Sequence, residues 1–472
     1  MNSASISCHS FPHLGKETRH NLSQVLCLLI LILASVAGFT QTYADLYDLG
    51  TGGNDPANPD GFLVQGRDGA LYGTSTQGGK LGLGAIYKIS TGGKLQLLYS
   101  FDGTLGTCHS GLTLASDGNL YGTTDGPDSG GPPFGTVFRI TPDGNFSVLH
   151  TFVDTGDAGY PHAPPIEGID HYFYGTTGRG GNRGYGTVYK MTAAGQLVTL
   201  HEFDNTHGAF PSAPLMQARS GNIYGVTTGG GTSGNGTIFK VTPKGKFTVL
   251  YNFDVTHGAQ PFAPLIQGSD DNFYGTTVRS NKHGIAFKMT PKGDLFILHD
   301  FKLREGKGIY AGLVQATDGR FYGSSTQGGS NGLGTLFKVN RVGGFSVVYN
   351  FDDAGGAQGL TTLIQHTSGG VYSTTFEGGA FGQGSFYNLD LGLGPFVSMD
   401  AKARHAGQDV GILGQGLTGT TDVSFNGTPA GFTVVTDTFL TATVPPGATS
   451  GSVTVTTPGG KLSSNVIFRV VP

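Results

Sequence analysis

Residues 213–254 read APLMQARSGNIYGVTTGGGTSGNGTIFKVTPKGKFTVLYNFD, and residues 263–301, APLIQGSDDNFYGTTVRSNKHGIAFKMTPKGDLFILHDF, nearly paraphrase them. The shared anchor is a hydrophobic–Tyr–Gly triplet. It occurs at Tyr72, Tyr121, Tyr174, Tyr224, Tyr274 and Tyr322, and a seventh time at Tyr372, where Ser373 replaces the glycine. Neighbouring anchors lie 49, 53, 50, 50, 48 and 50 residues apart. A fixed period of about 50 marks a repeat architecture, whose units bury their apolar faces against one another.

Within the repeat, four short segments alternate as strands do. The first is Ala263–Gln267, and a turn of the Ser116–Asn119 type (Ser-Asp-Gly-Asn) leads out of it. Asp-Gly favours a hairpin because both residues tolerate positive φ. The second segment is the Tyr-Gly strand with its Thr-Thr pair, β-branched residues that suit a pleated surface. A glycine-rich loop leads to the third, Gly236–Thr242, and Thr-Pro-Lys-Gly turns the chain into the fourth, Lys246–Phe253. Strict alternation there puts Phe247, Val249, Tyr251 and Phe253 on one face. No segment holds a helical period.

Outward from this core, the N-terminal stretch has a weakly basic region and an apolar run from Val25 to Ala37, the pattern of a secretory leader. Cleavage is expected after Ala44, giving a leader of 1–44, or after Ala37; a retained membrane anchor is the alternative. Cys27 follows Leu26 and sits inside the apolar run, which does not fit a lipoprotein signal. Cys8 and Cys27 leave with the leader, so Cys108 alone remains and disulfides cannot staple the fold. Glycine is 82 of 472 residues, far above the usual 7% or so, without a collagen period. Charged residues are 13% and the net charge is −4, which gives no electrostatic footprint for nucleic acid.

Asp45–Leu49 precedes the first full repeat yet reads as a fourth strand, like Leu98–Phe101, Leu200–Phe203 and Leu250–Phe253. The third-strand motif occurs seven times and the fourth only six times after it, so the orphan strand supplies the missing one. The predicted fold is all-β: a seven-bladed β-propeller of four-stranded blades over 45–394, its last blade closed by the N-terminal strand, with a further β-domain over 395–472. Radial repetition of this kind hides sheet edges. An open β-solenoid is the alternative, but it needs no such balance of strands.

From Pro395 the repeat stops and period-two runs such as Val423, Phe425 and Val453, Val455 alternate with Gly, Pro and Asn turns, as in a small sandwich. Gly411–Leu417, Val423–Ala430, Ala442–Pro445 and Thr454–Gly460 resemble the IPT/TIG family of immunoglobulin-like domains, which implies an immunoglobulin-like β-sandwich. Some relatives of that kind sit in DNA-binding factors. Here Lys402, Arg404, Lys461 and Arg469 are balanced by Asp400, Asp409, Asp422 and Asp437, which argues against that use. The repeats, through Tyr121–Thr124, Gly135–Phe138 and Thr141–Gly144, resemble the Gloeobacter/Verrucomicrobia tandem repeat of exported proteins. That resemblance implies export and brings no established activity. Kelch repeats share the period, but their tryptophan is missing: this chain has none.

In a four-stranded blade, the loops from strand four to the next strand one lie on the same face as the loops from strand two to three. One face therefore collects His162, His207 and His257, Tyr160, Phe210, Phe262 and Tyr310, with Arg179, Arg183 and Arg279. Aromatic planes beside such donors suit a sugar or an acidic polymer. The alternative is that Thr-His-Gly is a recurrent turn whose histidine caps backbone groups. His150, His201 and His299 stand where other repeats carry tyrosine and are expected to pack as substitutes for it. Asp102, Asp204, Asp254 and Asp352 suit turn capping better than calcium ligation. Cys108 beside His109 is no nucleophile dyad, because neighbours on an extended chain point to opposite sides. No metal-ligand spacing, cofactor loop or catalytic motif appears.

The expected function is therefore an exported, non-catalytic binding scaffold of the envelope or extracellular space. Its expected partner is a carbohydrate or a cell-surface protein, with no nucleic acid and no membrane span after leader removal. Two other readings stay open: a polysaccharide lyase or glycoside hydrolase using the His/Arg-rich face, and a structural spacer or adhesin.

Overall fold

The computed structural model describes residues 41–126, 132–153 and 158–471; the apolar run of the expected leader lies outside them. The described chain is all-β. The described residues from Thr42 to Asp390 include seven four-stranded antiparallel sheets of the kind that make propeller blades. Sheet order follows chain order within each repeat, for instance Met216–Gln217, Ile223–Thr227, Thr237–Val241 and Phe247–Asn252. The sheet of the last repeat takes its outer strand from the N-terminus: Thr42–Asp48 pairs antiparallel with Ser385–Asp390. The orphan strand is thus where its sequence placed it, but it begins earlier. Thr42–Ala44 pair with Asp390–Asn388, and the Tyr43 ring stacks on Tyr349 at 4.0 Å. A leader cleaved after Ala44 would remove that contact; one cleaved after Ala37 leaves the strand whole.

The anchor triplet has a physical reason in each sheet. Its tyrosine is buried, and in five of the seven its hydroxyl donates to the aspartate of the preceding turn, as in Tyr72–Asp68 (2.9 Å), Tyr174–Asp170 (2.8 Å) and Tyr322–Asp318 (2.9 Å); Ser220 and Ser368 stand in that place before Tyr224 and Tyr372. Its glycine leaves room for the third-strand ring: a Cβ on Gly225 would lie 2.5 Å from Phe239 Cζ. The decayed seventh copy spends that space differently, since Ser373 Oγ hydrogen-bonds Thr361 Oγ1 at 2.7 Å. Gly236, before the third strand, has φ +99°, and a Cβ there would meet Thr227 O at 2.2 Å, so only glycine fits.

The fourth strand departs from strict alternation. Every third–fourth strand pair carries a bulge at one place, passing over Leu98, Leu149, Leu200, Leu250, Leu298 or Val348, and Leu46 in the N-terminal strand. Phe247 and Val249 therefore face Val241 and Phe239, while Tyr251 turns to the other face, opposite Ile238. A bulge inserts one residue and reverses the facing of the residues after it. It also lets successive sheets stack rings: Tyr99 on Phe146 (4.1 Å), His201 on Phe247 (3.6 Å) and His299 on Phe345 (3.7 Å). His201 and His299 do take the tyrosine place as packing rings.

The sheets are tied by a hydrogen bond to a side chain that recurs with the repeat. The last residue of a first strand accepts, through its side chain, a backbone N–H of the preceding repeat. The pairs are Glu167–Ser116 (2.6 Å), Gln217–Ile169 (3.0 Å), Gln267–Arg219 (2.8 Å), Gln315–Ser269 (3.0 Å) and Gln365–Thr317 (3.0 Å). The series returns to the first repeat, where Gln65 accepts from Thr367 at 3.0 Å. At the seventh junction Leu114 holds the equivalent place. There Arg67 donates to Ser116 O (2.7 Å) and pairs with Asp400 of the C-terminal module (2.8 Å), its guanidinium 4.4 Å from the Phe439 ring centre.

That module has two four-stranded sheets around one core of Val410, Ile412, Val423, Phe425, Leu440, Val453 and Val455. It meets the repeats at their first-to-second-strand turns. Besides Arg67–Asp400, Thr438 Oγ1 donates to Arg67 O (2.8 Å) and Gln415 Nε2 to Thr367 Oγ1 (3.0 Å). Among the described residues no helix is long and apolar enough to cross a membrane.

Candidate functional site

At the opposite end of the first strands, the incoming loops all aim one residue inward. It stands four positions before each first strand: Asp60, His109, His162, Ser212, Phe262, Tyr310 and Leu360. All seven line one cavity of about 400 Å³. The loop geometry behind this recurs as well. Two residues earlier the backbone is left-handed, at Asn58 (φ 51°), Tyr160 (58°), Phe210 (59°), Gln260 (55°), Gly308 (68°) and Gln358 (55°). Such a conformation costs a non-glycine residue of order 1 kcal/mol or more.

The rim is divided. Repeats one to three contribute Asp60, His109 and His162, and Asp125 joins them from a strand-two-to-three loop. His109 Nδ1 lies 2.8 Å from Asp60 Oδ2, and its Nε2 lies 3.1 Å from Thr107 Oγ1 and 3.6 Å from Asp125 Oδ2. Thr107 Oγ1 also donates to Asp125 Oδ1 at 3.0 Å. His162 packs beside Gly178, and burial lowers its pKa; nearby Asp125 opposes that shift and His109 adds to it. The other arc is apolar: Phe262 and Tyr310 lie 5.3 Å apart, with Leu360 next to them and Ser212 at the boundary.

Of the residues expected at the site, His162, Phe262 and Tyr310 line this cavity. Tyr160 and Phe210 occupy the left-handed loop position, and Arg179 lies 5.7 Å from the Tyr160 ring centre. His207 and His257 are exposed turn residues. Each donates its backbone N–H to Asp204 or Asp254 (2.8 Å), with Nδ1 2.9 Å and 3.0 Å from the same carboxylates. Burial works against ionisation of those two aspartates, but the hydrogen bonds from the histidines win and lower both pKa values. Arg183 pairs with Asp204 at 3.4 Å, and Arg279 is held by backbone bonds to Ala259. Asp102 and Asp352 likewise cap their turns, accepting from Thr104 and Gly355.

Asp60, His109 and Asp125 were not among the expected site residues. Counting four positions back from each first strand would have found the first two. Cys108 is buried, and burial pushes its thiol up to about 11 while His109 faces the cavity, as alternation requires. Among the described residues no group of three or more His, Cys, Asp or Glu is placed to hold a metal.

The pattern of the Gloeobacter/Verrucomicrobia repeat matches residues 33–167, 128–282 and 278–431, and that of the IPT/TIG domain residues 401–470. The chain is similar to a catalytically inactive virginiamycin B lyase from Staphylococcus aureus, solved with quinupristin. That match has a TM-score of 0.53 and 16% identity, over 74% of this chain and 99% of the other. It is also similar to a fungal alcohol oxidase of the AA5 family in complex with copper, with a TM-score of 0.54 and 13% identity over 92% of this chain and 100% of the other. At these identities the likeness is one of fold alone. No curated protein matches.

Proposed function

This chain belongs to the Gloeobacter/Verrucomicrobia repeat family and carries a C-terminal IPT/TIG domain, and from that premise we propose that it is an exported binding scaffold. Its seven sheets form a closed seven-bladed propeller, and an immunoglobulin-like sandwich covers one end of the central cavity. The leader-like apolar run supports export. The observation that carries binding is the divided rim: seven equivalent positions around one cavity, polar on one arc and aromatic on the other.

A neutral carbohydrate fits that rim. Its apolar ring face stacks on Phe262 and Tyr310 while its hydroxyls meet Asp60, His109 and Asp125. Pockets of this kind combine an apolar wall with a few placed polar groups. Two carboxylates at the mouth weigh against an acidic polymer, so of the two ligand classes the neutral sugar is favoured. The test is a glycan array of neutral and acidic oligosaccharides, read for binding and for product release. Neutral glycans should be retained. Phe262→Ala with Tyr310→Ala should weaken them at least tenfold, about 1.4 kcal/mol, while His207→Asn with His257→Asn should change little. Release of new reducing or unsaturated ends would replace the scaffold by a glycosidase or lyase. A blank array would favour a spacer or adhesin.

A further inference from the structure

Below the mouth the cavity continues. A chamber of about 370 Å³ shares Phe62 and Thr362 with the mouth, and a third, of about 230 Å³, shares Met399 and Asp400 with the second. The third lies between first strands of the repeats and the Met399–Arg404 stretch of the C-terminal module. Four ionisable groups line it: Glu167, Asp400, Lys402 and Arg404.

The two carboxylates are committed. Glu167 accepts from the Ser116 N–H and hydroxyl (2.6 Å each) and lies 2.9 Å from His171 Nδ1. Asp400 takes Arg67 (2.8 Å) and the Gly411 N–H (3.0 Å). Among the described residues neither cation makes a direct ion pair, although the Arg404 charge favours the Asp400 carboxylate. Arg404 is 4% exposed, and among the described residues its side chain reaches only the Ala403 carbonyl, at 3.1 Å. Lys402 has no ion-pair partner among the described residues. Lys402 is an exposed residue, but the atoms packed around its ammonium, with Arg219 adding repulsion, push it toward the neutral form. Arg219 itself is occupied by Gly268 O (3.0 Å) and Asp271 (2.6 Å).

Glu167 and Asp400 line the same chamber but are held by other partners, so neither cation gains an ion pair to offset its desolvation. We propose that the chamber binds a small oxyanion, a carboxylate, sulfate or phosphate, between Lys402 and Arg404. A planar guanidinium and a point-like ammonium are the pair that such oxygens accept from. The chamber exceeds several times the roughly 30 Å³ that a water occupies in the liquid, which suits a small ion and excludes a polymer.

The test is thermal unfolding of the full chain at constant ionic strength, titrating sodium sulfate or phosphate at low millimolar level against sodium chloride. The midpoint should rise saturably with the oxyanions. Lys402→Met should fold and show at least a tenfold weaker response. A crystal soaked in selenate should place its anomalous peak between the two side chains. The proposal is overturned by an equal rise in Lys402→Met, by no saturable rise in the wild type, or by a selenate peak elsewhere with this chamber empty.

Discussion

The two ends of the first strands follow opposite rules. At one end the same chemistry recurs: Gln65, Glu167, Gln217, Gln267, Gln315 and Gln365 each clasp the neighbouring repeat, and only Leu114 departs. At the other end the equivalent place holds Asp60, His109, His162, Ser212, Phe262, Tyr310 and Leu360, nearly all different. Both sets lie on one backbone scaffold, so geometry does not explain the contrast. A position that does the same mechanical work in every repeat keeps its residue, while positions that jointly shape one asymmetric cavity diverge. In an internally repeated chain, divergence at a fixed place is therefore the better sign of a site. The single departure at the clasped end agrees with this, because beside Leu114 the junction is held by Arg67 and the C-terminal module.

The largest expected effect comes from removing the N-terminal strand that joins the last repeat to the first. Starting the chain at Pro56 removes the Thr42–Asp48 strand and the Tyr43–Tyr349 stack, leaving the Ser385–Asp390 backbone unpaired at an edge. Unpaired buried backbone groups and a bare edge favour aggregation. The melting midpoint should fall by more than about 10 °C, or the protein should aggregate. A melt that matches the full-length protein would mean that the first and last repeats are held together by something else.

A smaller effect sharpens the comparison at single junctions. Gln217→Leu leaves the Ile169 N–H without its acceptor, and Gln267→Leu does the same to Arg219. An orphaned buried donor costs about 1–3 kcal/mol. Denaturant titration should show that loss for each, whereas Leu114→Gln should cost under about 1 kcal/mol, its position having no clasp to lose. Equal, negligible changes at all three would remove the mechanical reading of the recurring glutamines.

Much of the fold was legible because backbone chemistry is written redundantly. Seven Tyr anchors and Thr-Pro-x-Gly turns fix strand number, and the unbalanced count of third and fourth strands points to the N-terminal segment. The details that escaped depend on irregularities no period shows. A bulge at Leu250 turns Tyr251 away from Phe247 and Val249, and Tyr43 belongs to a strand although the small residue beside it resembles a cleavage site. At the site, Phe262, Tyr310 and His162 were found as aromatic or titratable loop residues. His207 and His257 drew attention by recurring in Thr-His-Gly, and that recurrence reflects a turn cap on Asp204 and Asp254. Asp60 and His109 were missed because neither belongs to a recurring motif.

The smallest expected effect tests whether the divergent end is free of mechanical duty. His162→Ser gives the third repeat the residue that the fourth carries as Ser212. At neutral pH stability should stay within about 0.5 kcal/mol, as for a substitution that breaks no cap, clasp or core contact. The pH profile should change in a definite direction. Burial lowers the folded pKa of His162 below its ordinary value of 6.5, so the unfolded chain binds the proton more readily. Wild-type stability is then full above about pH 6.5 and declines as pH falls from there toward the lower folded pKa. His201, whose folded pKa burial lowers to about 4, loses stability in the same direction down to that pH, so the slope should flatten in His162→Ser without vanishing. Chemical denaturation at a series of pH values reads both quantities. A loss of several kcal/mol at pH 7 would mean that the mouth positions hold the repeats together after all, and the contrast between the two ends would fail.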